Sequence, residues 1–332
     1  MLTPSHPVDV LPDGPLVSVV LCAHNPHLRY LQATLDGLRE QDLPTDRWEL
    51  LLIDNCSEPP LVDVLDISWH PRGRIVSESR LGLAQARRRG YVEATGQLLV
   101  HCDDDTVLCK DYLSQAALIY QTHPWIGSFG GQQLPQFEVA PKCELERSFG
   151  GERLVTTDIW SNILDDTRTM PWGAGMCLRR AVVDEYLQQV ENDPRRLILG
   201  RSGSRLVTGE DIDLNYVAVR TGFGTGLFKG LSLVHFIPPE KATRAHFIQY
   251  RAGNAYSMIV LWFLHTGELR IPRQTRSQSF FINLRMRLRM SEFEREREQA
   301  MSRARRRAAQ DLKDWGWLEG ETRAQSRIAG RS

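Results

Sequence analysis

The six cysteines, Cys22, Cys56, Cys102, Cys109, Cys143 and Cys177, form no C-x-x-C pair and no Cys/His grouping with zinc spacing. A zinc module is thereby excluded. Cys22, Cys56 and Cys102 close apolar runs, where free thiols behave as small buried hydrophobes, and all six read as reduced, with a cytoplasmic address. Long apolar runs are also missing. The longest, Ser257 to Leu264, falls well short of the roughly 20 residues that span a bilayer. Residues 1–15 read as a Pro-rich leader and not as a signal peptide, whose basic segment and apolar core they lack. An excess of charge is absent as well: 41 basic side chains balance 41 acidic ones, which excludes nucleic-acid binding by bulk charge. Neither an internal repeat nor a low-complexity tract interrupts the chain.

Strand and helix patterns do alternate. Leu16 to Cys22 is a continuous apolar, β-branched run, as a strand buried on both faces reads. Leu28 to Glu40 carries a helical stripe of Leu28, Leu31, Leu35 and Leu38. Trp48 to Ile53 is a second buried strand, Arg74 to Ser77 a short third, Leu83 to Ala94 a helix and Gln97 to Cys102 a fourth strand. This spacing predicts βαβ units and a mostly parallel, Rossmann-like sheet flanked by helices. Further on, Ile126–Gly131 and Gln132–Val139 read as two strands, Ala181–Val190 and Asp211–Thr221 as helices, and Leu231–Phe236 as a strand. Ala242–His265 reads as a long helix with a break allowed at Gly253.

Five groups of residues carry chemistry. Asp103, Asp104 and Asp105 follow a buried strand, where three adjacent acids repel one another. Hard Mn²⁺ or Mg²⁺ relieves that conflict, and a solvated turn is the structural alternative. Asp54 ends the neighbouring strand and suits a ribose or base contact, or simply a turn with Asn55. Gly82, Arg87 and Gly90 combine close backbone approach with a guanidinium for phosphate, unless Arg87, Arg88 and Arg89 form a solvated face. Glu210 and Asp211 stand at a loop-to-helix junction behind a Gly/Ser loop, as a general base or as an acidic helix start. His235 ends a strand, as a core histidine or a nitrogen ligand for the same metal.

Taken in order, these blocks resemble family 2 glycosyltransferases, the inverting group with the GT-A fold. VSVVLCAHN resembles the opening strand, with His24-Asn25 at its end, and ELLLIDNCS the strand whose aspartate, here Asp54, reads the base. GLAQARRRGYVEATGQLLVHCDDD resembles the glycine helix and D-x-D metal motif, and GAGMCLRR, with Gly173, the acceptor-side turn. GEDIDLNYVAVRTGFG resembles the segment with the catalytic base, here Asp211, beside Glu210. LVHFIPPEKATRAHFIQYRAGNAYS resembles the block whose histidine, here His235, lies near metal and diphosphate, with Arg244 and Arg251 as further anion contacts. The chain departs from the pattern at Cys22-Ala23-His24 and at Arg89.

The resemblance implies an inverting, Mn²⁺- or Mg²⁺-dependent transfer from a nucleotide-diphosphate sugar, foremost a UDP-sugar, to a glycan, lipid-linked or small-molecule acceptor. Asp103, Asp105 and His235 would hold the metal, and His24, Asn25, Asp54, Gly82, Arg87, Asp103, Asp104, Gly173, Arg244 and Arg251 the donor. A nucleotidyltransferase is the enzymatic alternative, but it needs a Gly-rich basic loop after the first strand, where this chain has His24-Asn25-Pro26-His27. A catalytically silent carbohydrate-binding protein is the other.

The expected organisation is a GT-A catalytic domain over 16–271, with a nucleotide-binding half at 16–110 and an acceptor half at 111–271. An Arg-rich helical appendage follows over 272–332, in which arginines outnumber acids roughly two to one. There, Phe280 to Met290 alternates apolar residues with Arg285, Arg287 and Arg289, ahead of a helix from Glu294 to Asp314. One reading is a peripheral contact with anionic lipid at the inner face of the membrane. The favoured reading packs the apolar residues on the catalytic domain, because strict alternation lacks the stripe of an interfacial helix.

Overall fold

Four apolar runs form the parallel half of the sheet: β1 (Val17–Ala23), β2 (Trp48–Asp54), β3 (Gly73–Ser77) and β4 (Leu98–Asp103). Every residue of β1 and β2 is buried, as continuous apolar strands require. Helix α1 (Leu28–Arg39) returns the chain from β1 to its parallel neighbour β2, and α2 (Leu83–Glu93) carries it from β3 across to β4. Gly90 brings α2 close to the sheet, since a Cβ there would lie 2.3 Å from Val20 Cγ1. The computed structural model describes residues 14–140, 152–200, 207–269 and 290–318.

The remaining strands pair antiparallel. They are β5 (Thr106–Leu108), β6 (Ile126–Phe137), β7 (Ile159–Ser161), β8 (Cys177–Arg179) and β9 (Gly224–Ile237). Among the described residues the nine strands run in the order β3-β2-β1-β4-β8-β6-β9-β5, with β7 also on β9. Helix α3 (Tyr112–Thr122) precedes β6 and α4 (Arg180–Asn192) follows β8. Residues read as two strands from Ile126 to Val139 form the single strand β6. Its glycines are not a turn: a Cβ on Gly131 would lie 2.0 Å from the Leu231 carbonyl oxygen, so glycine permits close strand approach.

The chain divides into two compact units. The first comprises Met1–Gln136, Gly151–Asn192 and Leu214–Ile237, and so holds the sheet. The second comprises Phe137–Gly150, Asp193–Asp213 and Pro238–Ser332. Helix α5 (Glu210–Arg220) starts in the second unit and continues in the first. In the second unit α6 (Arg244–Thr266) packs along α7 (Glu292–Asp314). Phe247 and Phe293 rings lie 5.9 Å apart, and Tyr256 donates to Asp311 at 2.9 Å. Helix α6 runs unbroken through Gly253, whose carbonyl also accepts the Ser257 hydroxyl at 2.8 Å. Helix α7 starts earlier than expected because Ser291 and Glu294 close a capping box. The alternating residues 280–289 lie outside the described residues, as does Cys143. Five described cysteines are free thiols, and no described helix is long and apolar enough to cross a membrane.

His70 is buried, its ring 4.0 Å from that of Trp48. Burial, with Arg72 adding, lowers its pKa from 6.5 to about 4. The unfolded chain therefore binds a proton that the native state refuses, and stability falls as pH drops from 6.5 through 4. His70→Gln should flatten the fall in melting temperature across that window, read by thermal melts from pH 7 to 4. Gly90→Ala should destabilise by about 1–3 kcal/mol through overpacking against Val20, measured by denaturant titration.

Candidate functional site

Register places the site. Ala23 pairs with Asp54 across β1 and β2, and Cys22 with Asp103 across β1 and β4. Three strand ends therefore align on one edge of the first unit, where parallel sheets bind ligands.

Asn55 organises this edge. Its side-chain amide donates to the carbonyls of Glu78 at 3.0 Å and Arg80 at 2.8 Å, and its Oδ1 accepts the Gly82 N–H at 2.8 Å. Gly82, at φ 138°, occupies a conformation that side chains disfavour and starts α2. The Asn55 carbonyl accepts His24 Nδ1–H at 2.7 Å. Asn25, left-handed at φ 45°, accepts the Glu58 N–H through Oδ1 at 2.8 Å and donates its own N–H to Ser57 at 3.0 Å. Asp54 is buried, and its two oxygens accept the N–H groups of Ser57 at 3.1 Å and Leu61 at 2.8 Å. The structure thus gives Asp54 the turn-forming role, with lone pairs remaining on each oxygen. Cys56, beside it, takes a left-handed φ of 61° that favours glycine.

Arg87 is the buried arginine of its helix: NH2 donates to Asp103 Oδ1 at 3.2 Å, while Arg89 pairs with Glu93 at 2.9 Å. Gly173 makes room for the guanidinium, because a Cβ there would lie 3.0 Å from Arg87 NH2. Beneath it, His101 is buried with Nε2 2.8 Å from the Tyr91 hydroxyl. Burial, with Arg87 adding, holds its pKa well below 6.5, so the imidazole stays neutral.

After β4 the chain turns tightly. The Thr106 hydroxyl accepts the Asp103 N–H at 3.2 Å and donates to the Asp103 carbonyl at 3.0 Å. Asp104 is half-buried and Asp105 is 9% exposed. Strand β5 then pairs with β9, setting Thr106 opposite His235, and the Asp105 carbonyl accepts the Phe236 N–H at 2.9 Å. This ladder brings His235 Nε2 within 3.5 Å of Asp105 Oδ1. Burial and then the three aspartates, working against the Thr106 hydrogen bond, push up the pKa of the Cys102 thiol. It stays protonated and adds no thiolate. The oxygens and imidazole fit a hard divalent cation that fills its shell with phosphate and water. No group of three or more His, Cys, Asp or Glu side chains converges on a metal position among the described residues.

The second unit holds Glu210, Asp211, Arg244 and Arg251. Glu210 is buried and Asp211 half-buried at the start of α5, with Asp211 Oδ1 accepting the Ile212 N–H at 3.0 Å. Arg244 pairs with Glu296 at 2.6 Å and lies over the Phe293 ring at 5.3 Å. Arg251 is exposed. The joining role of Asn55 and the partners of Asp213, Arg196 and His265, escape sequence reading. Their meeting depends on contacts between distant segments that leave no local pattern.

The model of glycosyl transferase family 2 matches residues 18–187, which hold all but the first residue of β1, the whole of β2 to β4 and the acid cluster. TuaG of Bacillus subtilis (strain 168), whose name proposes a glycosyltransferase of teichuronic acid biosynthesis, is 28% identical over 123 residues. That alignment covers 36% of this chain and 48% of TuaG. Protein y4gI of Sinorhizobium fredii (strain NBRC 101917 / NGR234) is 31% identical over 118 residues, 34% of this chain and 13% of that protein. The chain thus spans less than half the length of either curated relative. The mannosyltransferase PcManGT from Pyrobaculum calidifontis, solved with GDP-Man and Mn²⁺, superposes with a TM-score of 0.51 at 18% identity, covering 98% of this chain and 84% of that one. Residues 1–349 of S. aureus TarS superpose with a TM-score of 0.50 at 15% identity, covering 93% and 91%. These likenesses are of fold. With the family match spanning half of the chain, the protein belongs to glycosyl transferase family 2.

Proposed function

We propose that this chain transfers a sugar from a nucleotide-diphosphate donor, foremost a UDP-sugar, to an acceptor hydroxyl with inversion. The observation that carries the reading is the meeting of Asp105 and His235 on the edge where β1, β2 and β4 end. The solved mannosyltransferase with GDP-Man and Mn²⁺ supports a nucleotide sugar and a divalent cation. Asp105 and His235, with Asp103 two residues before Asp105 in the chain, are the residues that would hold Mn²⁺ or Mg²⁺, whose charge, when bound, stabilises the negative charge growing on the leaving diphosphate.

The chain's own groups do the rest. His24, Asn25 and Gly82 shape the loops that receive the nucleotide, and the remaining lone pairs of Asp54 accept from its base. Arg87 directs its cation at the edge and pairs there with Asp103. Asp211 accepts the proton of the acceptor hydroxyl. The acceptor oxygen bonds to the anomeric carbon as the bond from that carbon to the diphosphate oxygen breaks. The bonding pair leaves with the diphosphate, and attack from the opposite face inverts the centre. A glycan, a lipid-linked sugar and a small molecule all offer such a hydroxyl.

Nucleotide release is the test. With a panel of nucleotide sugars, turnover should require Mn²⁺ or Mg²⁺ and stop in excess EDTA. Asp105→Ala should lose it while melting as the parent does. Undiminished release in EDTA would overturn the metal. Asp211→Asn should lower kcat by about 10²–10⁴-fold, with donor KM little changed, because a general base acts in the transition state. Retention of most of the rate would remove Asp211 as the base.

A further inference from the structure

The second unit buries an ionic cluster that the reaction itself does not use. Arg196, in the 3₁₀ turn Pro194–Leu199, donates to Asp213 Oδ1. His265, in the last turn of α6, places Nε2 at 2.6 Å from the same oxygen. A carboxylate only accepts, so Nε2 carries the shared hydrogen. Asp213 is 0% exposed, Arg196 7% and His265 9%.

Burying charge in this way is costly, and well-packed apolar side chains often fill such a space at no loss of stability. What the ionic cluster adds is direction, because two donors converge on one oxygen with defined angles. Asp213 lies two residues beyond Asp211 in the first turn of α5. At about 100° per residue, the two point to nearly opposite sides of the helix. Holding Asp213 inward therefore fixes the rotation that turns Asp211 outward, where it is half-buried.

The approach to that turn is fixed by the same helix. Ser257 Oγ accepts the Thr208 N–H at 3.0 Å, and the Thr208 hydroxyl donates to Asn254 Oδ1. Gly209, at φ 125°, would place a Cβ 3.4 Å from that of Ser257, and its carbonyl accepts the Asp213 N–H at 2.9 Å. Asn254, Ser257, Leu261 and His265 recur at helical spacing along one stripe of α6. That stripe holds the chain both before and after Asp211.

We propose that Arg196 and His265, acting through Asp213, are positioning residues that set the direction of Asp211. The inference rests on Asp211 being the general base. A misplacement of about 1 Å can cost about a hundredfold in rate, which gives the cluster a kinetic consequence separate from folding.

The test compares Asp213→Asn, His265→Gln, Arg196→Lys and Asp211→Asn in the full chain. Each is read by nucleotide release from UDP-glucose, UDP-GlcNAc and GDP-mannose with Mn²⁺, alongside a thermal melt. Asp213→Asn and His265→Gln should lower kcat about ten- to a hundredfold with donor KM within about threefold. Arg196→Lys, which keeps the cation, should retain more of the rate than either. In an Asp211→Asn background, Asp213→Asn should cost nothing further, because a group acting through Asp211 has nothing left to position. His265→Gln keeps a hydrogen-bonding amide and tests the proposal even where Asp213→Asn does not fold. Parental kcat in both folded variants, or an equal further loss in the Asp211→Asn background, would overturn the positioning role. A parental rate in Asp211→Asn alone would instead overturn the general base, so the two failures are distinct. Release from none of the three donors by the parent would count against the transfer reaction and the positioning role together.

Discussion

Parallel pairing of β2, β1 and β4 in one register brings the chemistry to a single edge. Adjacent strands in such a sheet end together, so whatever follows each strand is delivered to the same side. Here those residues are His24 and Asn25, Asp54 and Asn55, and the three aspartates from Asp103. The register is itself enforced by burial, since a slip of one residue would exchange the two faces of strands that are covered on both. Asn55 then locks the loops beyond, replacing three backbone–water hydrogen bonds with three of its own.

Antiparallel pairing supplies the other side of the acid cluster. Strand β5 starts immediately after Asp105 and lies along the far end of β9, so His235 arrives beside a carboxylate that is distant in sequence. Glycine makes the close approaches possible. Gly131 admits the Leu231 backbone, and Gly173 admits the Arg87 guanidinium. Both are packing requirements, in contrast to Gly82, whose backbone angle is the constraint.

Each unit keeps an acid of interest next to a buried arginine. Arg87 pairs with Asp103 in the first, and Arg196 with Asp213 in the second. A guanidinium stays charged when buried and offers several donors in a fixed plane, so it orients a carboxylate as well as neutralising it. Less buried arginines form ordinary surface pairs, such as Arg89 with Glu93 and Arg307 with Asp311. Burial, not residue type, separates the two roles.

The amino-acid order alone determined the strands of the parallel half, the helices between them and the acids at their ends. Each is a local pattern, a run of apolar residues or a stripe at helical spacing, and is decided within a window of about a dozen residues. The family was legible for the same reason, because its blocks are short and ordered along the chain. What only the tertiary structure decided is which of these residues meet. The sequence leaves Arg87 open between an anion contact and a solvated face shared with Arg88 and Arg89, and its burial beside Gly173 is seen only once α2 lies on the sheet. That Asp54 also holds the turn after β2 is seen only when its oxygens are found on the N–H groups of Ser57 and Leu61. Arg196 and His265 give no local sign of sharing an oxygen of Asp213, because that contact joins three segments widely separated along the chain, and chain order alone does not specify the distance between them.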